Sequence, residues 1–272
     1  MKRKYLYPVL TVIIVVALYF AEKYVDQQQE DYPDTASVSD QFNGTEFNDN
    51  YLPSSSTAAI VKHRYFTLSY AEAHEQAEWV AYELSKNQLS NIDRERPYFV
   101  EDRSVKTKSA DWRNYKNSGY DRGHLCPAAD RRFSEEAYHE TFLTSNISPQ
   151  NHDFNAGVWN RLEQKVRYWA EAYDGVYVIT GSVLKEGLKT IGDEQVSVPE
   201  HFYKVIIDKS NGEYRGIAFL IPNEPTNKSF FDFVVTIDTV ERKSGIDFFS
   251  NLSETDEVRL ESGIDLKTWY KK

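Results

Sequence analysis

Cysteine is almost absent from this sequence. Cys126 is the only one among 272 residues, so no intrachain disulfide can form and the fold must be held by burial and hydrogen bonding. No cysteine closes the apolar run near the N-terminus, which excludes a lipid-modified cysteine there. Internal repeats are also lacking. The single thiol is predicted to be a small buried side chain.

Positive charge is in short supply. Lysine and arginine total 32 against 42 acidic residues, a formal net charge of −10, which argues against a nucleic-acid partner. The distribution weakens that argument, because residues 22–59 hold eight acids against Lys23 alone. Residues 94–132 hold ten lysines and arginines against six acids, and such a local basic patch can still bind phosphate.

The N-terminus carries an uncharged apolar run of 17 residues, 5–21, behind a basic tripeptide. This length is the lower limit for spanning a bilayer, and Tyr19 is a poor residue at position −3 of a cleavage site after Ala21. The run therefore favours an uncleaved signal anchor at residues 1–21 over a cleaved signal. The basic flank predicts that the rest of the chain is exported, to a periplasmic or extracellular location, and secreted if cleavage occurs.

Residues 22–59 are acidic and poor in aliphatic side chains, which predicts a disordered tether. Residues 60–272 form one folded domain in this interpretation. The periodicity predicts helices over residues 75–84, 134–142 (capped by Ser134) and 158–173. Strands are predicted over residues 63–70, 176–184, 201–208, 214–222 and 230–237. The domain is thus α+β with an antiparallel sheet at its centre.

A set of polar residues follows the motif Asp-Arg-Gly-His at 121–124. Asn146, Asn155 and Glu163 lie 22, 31 and 39 residues beyond His124. In a regular helix Asn155 and Glu163 would be about 12 Å apart along the axis and about 80° apart around it, so both can face one cleft.

Taken singly, each of these residues also has a structural explanation. His124 can be a hydrogen-bonded structural histidine, and Asn155 is a good helix N-cap. Glu163 can pair with Arg167 one turn later, and Arg122 can pair with a neighbouring aspartate. Only the ordered series favours a shared chemical role.

As a whole, the sequence resembles the DNA/RNA non-specific endonucleases of the ββα-metal (His-Me finger) type, which include mitochondrial endonuclease G. The resemblance rests on YDRGHLCPAADRR (120–132) and FLTSNISPQNHDFNAGVWNRLE (142–163). These carry the family's DRGH, Ser-Asn-x-x-Pro-Gln and Asn-x-x-x-Trp-x-x-Leu-Glu patterns. Weaker matches upstream and downstream extend it over essentially the whole folded domain.

The resemblance implies a role for each matched residue. His124 corresponds to the general base that activates water, and Asn155 to the direct ligand of one Mg²⁺, for which Mn²⁺ can substitute. Glu163 corresponds to a carboxylate that holds the metal through water, and Asn146 to the residue that positions the base and the metal shell.

Arginines complete the implied site. Arg122 and Arg96 correspond to the cations that bind and stabilise the phosphate in the transition state. The segment around Arg96 aligns loosely, so Arg94 or Arg103 can take that role instead.

The expected fold is therefore α+β, of the ββα-metal type, with a central antiparallel sheet flanked by helices. The expected function is Mg²⁺-dependent hydrolysis of phosphodiester bonds in DNA and RNA, without sequence preference. The alternative is a catalytically silent surface module that binds nucleic acid. The expected partners are DNA, RNA and, through residues 5–21, a membrane; a homodimer is one oligomeric state that the sequence leaves open.

Overall fold

A computed structural model of the chain describes residues 51–210 and 213–270, together with Val16. The chain divides into two units, Met1–Asn43 and Gly44–Lys272. Among the described residues, no helix combines the length and apolar character that crossing a bilayer requires. The anchor predicted at residues 5–21 lies outside the described residues apart from Val16, and it stays a prediction.

A seven-stranded antiparallel sheet organises the described domain. The strands of the domain are β1 Ile60–Lys62, β2 Thr67–Ala71, β3 Gln76–Ser85, β4 Asp121–His124, β5 Ile147–Gln150, β6 Gly175–Ser182, β7 Thr190–Ile191, β8 Val196–Ser197, β9 His201–Ser210, β10 Glu213–Pro222 and β11 Val234–Val235. The strand order in the large sheet is β1-β2-β3-β6-β9-β10-β11. Strand β4 pairs separately with β5, and β7 pairs separately with β8.

Within residues 51–210 and 213–270, six α-helices accompany these strands. Three follow in sequence around the hairpin, and three lie near the C-terminus. They are α1 Glu135–Glu140, α2 His152–Phe154, α3 Asn160–Ala172, α4 Ile237–Ser244, α5 Glu254–Ser262 and α6 Leu266–Trp269. A π-helical segment, Asn155–Trp159, joins α2 to α3. Ser134 caps α1 by accepting a hydrogen bond from the backbone N–H of Ala137, as its sequence predicts.

Both faces of the sheet are covered by apolar side chains. Helix α3 packs Leu162 and Val166 against one face, together with Val178 and Ile206 of the central strands. Helices α4 and α5 cover the other face, where Ile179 and Val205 point. The sheet therefore lies between helix α3 on one side and helices α4 and α5 on the other.

The segment predicted as a helix over residues 75–84 is the interior strand β3, so that prediction is wrong. Val80 and Tyr82 belong to the core on the α3 side, whereas Trp79 and Ala81 belong to the core on the other side. A strand that is buried on both faces carries apolar side chains on both of them. Its sequence therefore lacks the alternation of apolar and polar residues and can resemble the spacing of a helix.

The folded domain also begins earlier than the predicted boundary at residue 60. Tyr51 is buried in the core, and the carbonyl of Ser54 accepts a hydrogen bond from the Trp79 indole at 2.8 Å. The backbone N–H and hydroxyl of Ser56 both donate to the buried carboxylate of Glu78. Residues 51–59 are therefore part of the domain and are not tether.

Candidate active site

A two-stranded hairpin positions the segment Asp121–His124. Strand β4 pairs antiparallel with β5, so that His124 lies opposite Ile147. A Cβ on Gly123 would overlap the side chain of Gln150, so glycine lets the two strands pair with that side chain in place. Helix α2 follows β5 directly, which gives the local order strand, strand, helix.

The His124 ring lies between two aromatic rings. Its centroid is 5.6 Å from that of Phe99 and 5.0 Å from that of Phe142. Its Nε2 is buried and has no hydrogen-bond partner within the described part of the chain. Burial, and then the charge of Arg96, lower the pKa of His124 to about 3. The imidazole is therefore neutral at pH 7, with an unpaired ring nitrogen.

Two arginines share an aromatic ring with this histidine. The guanidinium carbons of Arg96 and Arg122 lie 5.4 and 4.9 Å from the Phe99 centroid. Arg96 also lies 5.7 Å from the Phe142 centroid, and Arg122 lies 5.6 Å from that of Trp112. The structure thus brings both predicted arginines to the predicted base.

Arg103 is not brought to this cluster. Its side chain is exposed, and no hydrogen bond, ion pair or ring contact joins it to the cluster among the residues that are described. Arg94 is also occupied elsewhere, because its Nε donates a 2.7 Å hydrogen bond to the carbonyl of Arg132. Of the three upstream candidates, only Arg96 reaches the aromatic pair.

Asn155 has its amide fixed by the first residue of the hairpin. Its Nδ2 donates to Oδ2 of Asp121 at 2.9 Å, and the same oxygen lies 3.0 Å from Nδ1 of His152. The N-cap of α2 is Asn151, whose Oδ1 accepts two backbone N–H groups, so the capping explanation of Asn155 is wrong. The amide oxygen of Asn155 accepts no hydrogen bond from any described residue.

Asn155 and Glu163 do not belong to one regular helix. The π-helical segment lies between them, and Gly157 departs from helical geometry there, with φ −97° and ψ −107°. The axial distance and angle calculated for an unbroken helix therefore do not apply. Such π-helical segments are frequent at functional sites.

Asn146 is fully buried, and both the oxygen and the nitrogen of its side-chain amide are hydrogen-bonded. Its Oδ1 accepts from the backbone N–H of Cys126 at 2.8 Å, and its Nδ2 donates to the carbonyls of Cys126 and Thr141, both at 2.9 Å. These bonds fix the backbone just after His124, which supports a role in positioning the base.

Glu163 lies near a buried cation. Lys204 is fully buried, and its Nζ donates a 2.5 Å hydrogen bond to the hydroxyl of Thr180. The same Nζ lies 4.8 Å from the ring centroid of Trp159, a residue that precedes Glu163 by one helical turn. Burial raises the pKa of Glu163, and the charge of Lys204 opposes that rise. Glu163 does not pair with Arg167, which instead bonds to a different carboxylate.

Sequence reasoning missed two parts of this arrangement. Asp121 heads the DRGH motif, so its position could have identified it as a partner of the later polar residues. Lys204 gave no such signal, because a lysine in an alternating strand ordinarily points to solvent. Cys126 is buried and its thiol pKa is raised to about 12 by burial, as expected of a side chain without a chemical role.

Hairpin, helix and antiparallel sheet together define a ββα architecture with a histidine at the end of its first strand. The chain belongs to the DNA/RNA non-specific endonuclease family, whose sequence profile matches residues 43–255. The predicted family and the predicted α+β fold are thereby confirmed.

Individual relatives agree with this assignment. The chain is 39% identical over 211 residues to mitochondrial nuclease EXOG of Danio rerio, which covers 70% of this chain and 62% of that protein. It is 35% identical over 205 residues to mitochondrial endonuclease G of Homo sapiens, covering 69% and 68%. A nuclease of Nostoc sp. is 33% identical over 232 residues, covering 80% of each protein.

A solved structure shares the fold. The crystal structure of the EndoG/EndoGI complex superposes with a TM-score of 0.67 at 31% identity, covering 72% of this chain and 88% of that one. The chain spans 59–62% of the length of the zebrafish, mouse and human EXOG proteins it matches.

Proposed function

We propose that this chain is a metal-dependent endonuclease that hydrolyses the phosphodiester bonds of DNA and RNA without sequence preference. One observation carries the proposal: a neutral histidine with an unpaired Nε2 shares an aromatic pair with two arginines. Membership of the family and the names of its relatives support the same chemistry.

His124 acts as the general base in this proposal. Its Nε2 takes a proton from the attacking water, which requires the neutral form that burial and Arg96 favour. Arg96 and Arg122 bind the phosphate and offset the negative charge that grows in the transition state, and neither loses its own charge. Asn146 holds the backbone that follows His124 and so keeps the ring in place.

The oxygen donors fit a hard divalent cation. Asp121 holds the Nδ2 side of the Asn155 amide, which leaves its oxygen available as a ligand, and in this proposal Glu163 holds the metal through water. Mg²⁺ keeps several of its waters in proteins, so one amide ligand is sufficient, and Mn²⁺ accepts the same donors. When bound, the metal would act as a Lewis acid towards the phosphate and the leaving 3′-oxygen.

Recognition should depend on the phosphate backbone. The basic residues of segment 94–132 include both arginines of the site, and contacts to phosphate carry no sequence information. We therefore expect the binding of DNA or RNA to weaken steeply with salt. Salt-independent affinity would argue for another class of substrate.

The decisive experiment is digestion of plasmid DNA and of RNA by the full chain, with Mg²⁺ and with EDTA. His124→Ala should abolish the metal-dependent cleavage of both substrates, whereas the control His201→Ala should retain it. If well-folded wild-type protein binds but never cleaves, the silent binding module is the correct function. If cleavage survives His124→Ala, the assigned base is wrong.

A further inference from the structure

Three carboxylates converge on the side of the sheet away from His124. One oxygen from each of Asp238, Glu241 and Glu261 lies within 4.8 Å of the other two. Asp238 and Glu241 are one turn apart on α4, and Glu261 lies in the last turn of α5. The cluster therefore joins two helices.

Glu261 is the unusual member of this cluster. Only 7% of the surface of Glu261 is exposed, and its Oε1 is buried without a hydrogen-bond partner among the described residues. The charged groups that act most strongly on it are all acidic: Glu241, Glu257, Asp238 and Asp247. Burial and these charges raise the pKa of Glu261 to about 8, so the cluster takes up either a proton or a compensating cation.

The arginines of the two helices make their contacts elsewhere. Arg242 donates to the hydroxyl of Thr239 at 2.8 Å, and Arg259 lies 3.6 Å from Asp256. Within the cluster, one oxygen of Glu241 accepts the backbone N–H of Phe248 at 2.8 Å, which fixes the orientation of that carboxylate. Among the described residues, no ion pair joins a cationic side chain to any of the three carboxylates.

Packing holds the two helices together in spite of this repulsion. Ile237 of α4 and Leu260 of α5 both lie against Gly216 of β10, where an added Cβ would come within 3.2 Å of each of them. Glu261 follows Leu260 directly. This apolar contact brings α4 and α5 together next to the cluster.

We propose that Asp238, Glu241 and Glu261 bind a hard divalent cation, Ca²⁺ or Mg²⁺, that ties α4 to α5. Carboxylate oxygens are the ligands both ions prefer, and water can complete either coordination shell. The site lies on the opposite face of the sheet from α3, so it is separate from the proposed nuclease site and does not depend on it.

Thermal unfolding of the chelator-treated full chain tests this site. The measurements are made in an Asn155→Ala background, which removes the metal ligand of the proposed nuclease site. Ca²⁺ or Mg²⁺ at about 100-fold above its Kd should raise the Tm by roughly 5–10 °C. Glu261→Gln and, separately, Asp238→Asn should abolish that shift, while Glu186→Gln in an exposed loop should leave it intact.

The same variants carry an internal check. In EDTA, Glu261→Gln should melt no lower than its parent, because glutamine resembles the protonated side chain that burial and the neighbouring carboxylates favour. This separates loss of the site from loss of the fold. The proposal is overturned if neither ion moves the Tm at concentrations up to about 10 mM, or if Glu261→Gln keeps the full shift. A shift with one ion alone identifies the cation.

Discussion

At the scale of single residues, the environment of His124 decides its chemistry. The imidazole is buried between two aromatic rings and near the permanent charge of Arg96, and both the burial and that charge disfavour its protonated form. The sequence alone predicts that activity falls below about pH 6.5, where an ordinary histidine protonates. The lowered pKa moves that limit to more acidic pH.

We expect His124 to remain neutral from pH 7.5 down to pH 5, as measured by NMR of its ring nitrogens. Because its folded pKa of about 3 lies below the unfolded value, the unfolded chain binds the extra proton, and stability falls as the pH drops from 6.5 towards 3. His124→Leu should reduce this loss, by at most about 1.4 kcal/mol per pH unit in urea unfolding. A titration midpoint near 6.5 would contradict the burial argument.

The hydrogen bond between Asp121 and Asn155 gives a second residue-scale prediction. Asp121→Asn keeps the size of the side chain but removes the negative acceptor, so the Asn155 amide loses its fixed orientation. Activity at low Mg²⁺ should fall roughly 10–100-fold and recover partly as Mg²⁺ is raised. Titration of the cleavage rate with Mg²⁺ measures this, with Asp153→Asn as the control. An unchanged Mg²⁺ dependence would mean that Asp121 does not orient the ligand.

At the scale of elements, the β4–β5 hairpin depends on one close approach. Gly123→Ala would place a methyl group on the Gln150 side chain, and such overpacking typically costs about 1–3 kcal/mol. The cleavage rate should fall with it, because His124 ends the same strand. Urea unfolding and single-turnover cleavage measure the two effects.

Gln150 supplies the control for this prediction. Its amide has no hydrogen-bond partner among the described residues, so Gln150→Ala alone should cost little beyond its buried stem. The double variant Gly123→Ala/Gln150→Ala should recover most of the stability and the activity. If the two costs simply add, the side chain of Gln150 is not the obstacle.

Elements and motifs differed in how far the sequence predicted them. Helix α3 was predictable from its apolar spacing, and Ser134 marked the start of α1. Strands β6, β9 and β10 were predictable because they are rich in β-branched and aromatic residues. Strand β3 is buried on both faces like β6 and β9, but its alanines, glutamates and leucine favour a helix, so composition did not identify it as a strand. The segment predicted as a strand over residues 230–237 is mostly a 3₁₀ turn, with only Val234–Val235 extended.

The candidate site shows the same limit. His124 and Arg122 share one short motif, so local sequence placed them correctly beside each other. Arg96 reaches the site because its guanidinium packs on the ring of Phe99, and no periodic pattern in the sequence indicates that contact. Lys204 reaches the neighbourhood of Glu163 only through the pairing of distant strands, which local patterns do not specify.

At the scale of the whole molecule, the start of the domain can be tested by truncation. A chain that begins at residue 60 loses the burial of Tyr51 and leaves the buried Glu78 without Ser56. We expect it to be less stable than a chain that begins at residue 44 by on the order of 4 kcal/mol. Urea unfolding of the two chains measures the difference, and equal stability would place residues 51–59 outside the cooperative unit.

The lone thiol has a practical consequence for the whole molecule. Cys126 is buried and keeps its proton up to about pH 12, so neither alkylating reagents nor mild oxidants find a thiolate to attack. The folded domain can then be stored without a reductant, and the single cysteine of the chain requires no disulfide-forming catalyst. Such a domain can be moved between reducing and oxidising surroundings without a covalent change.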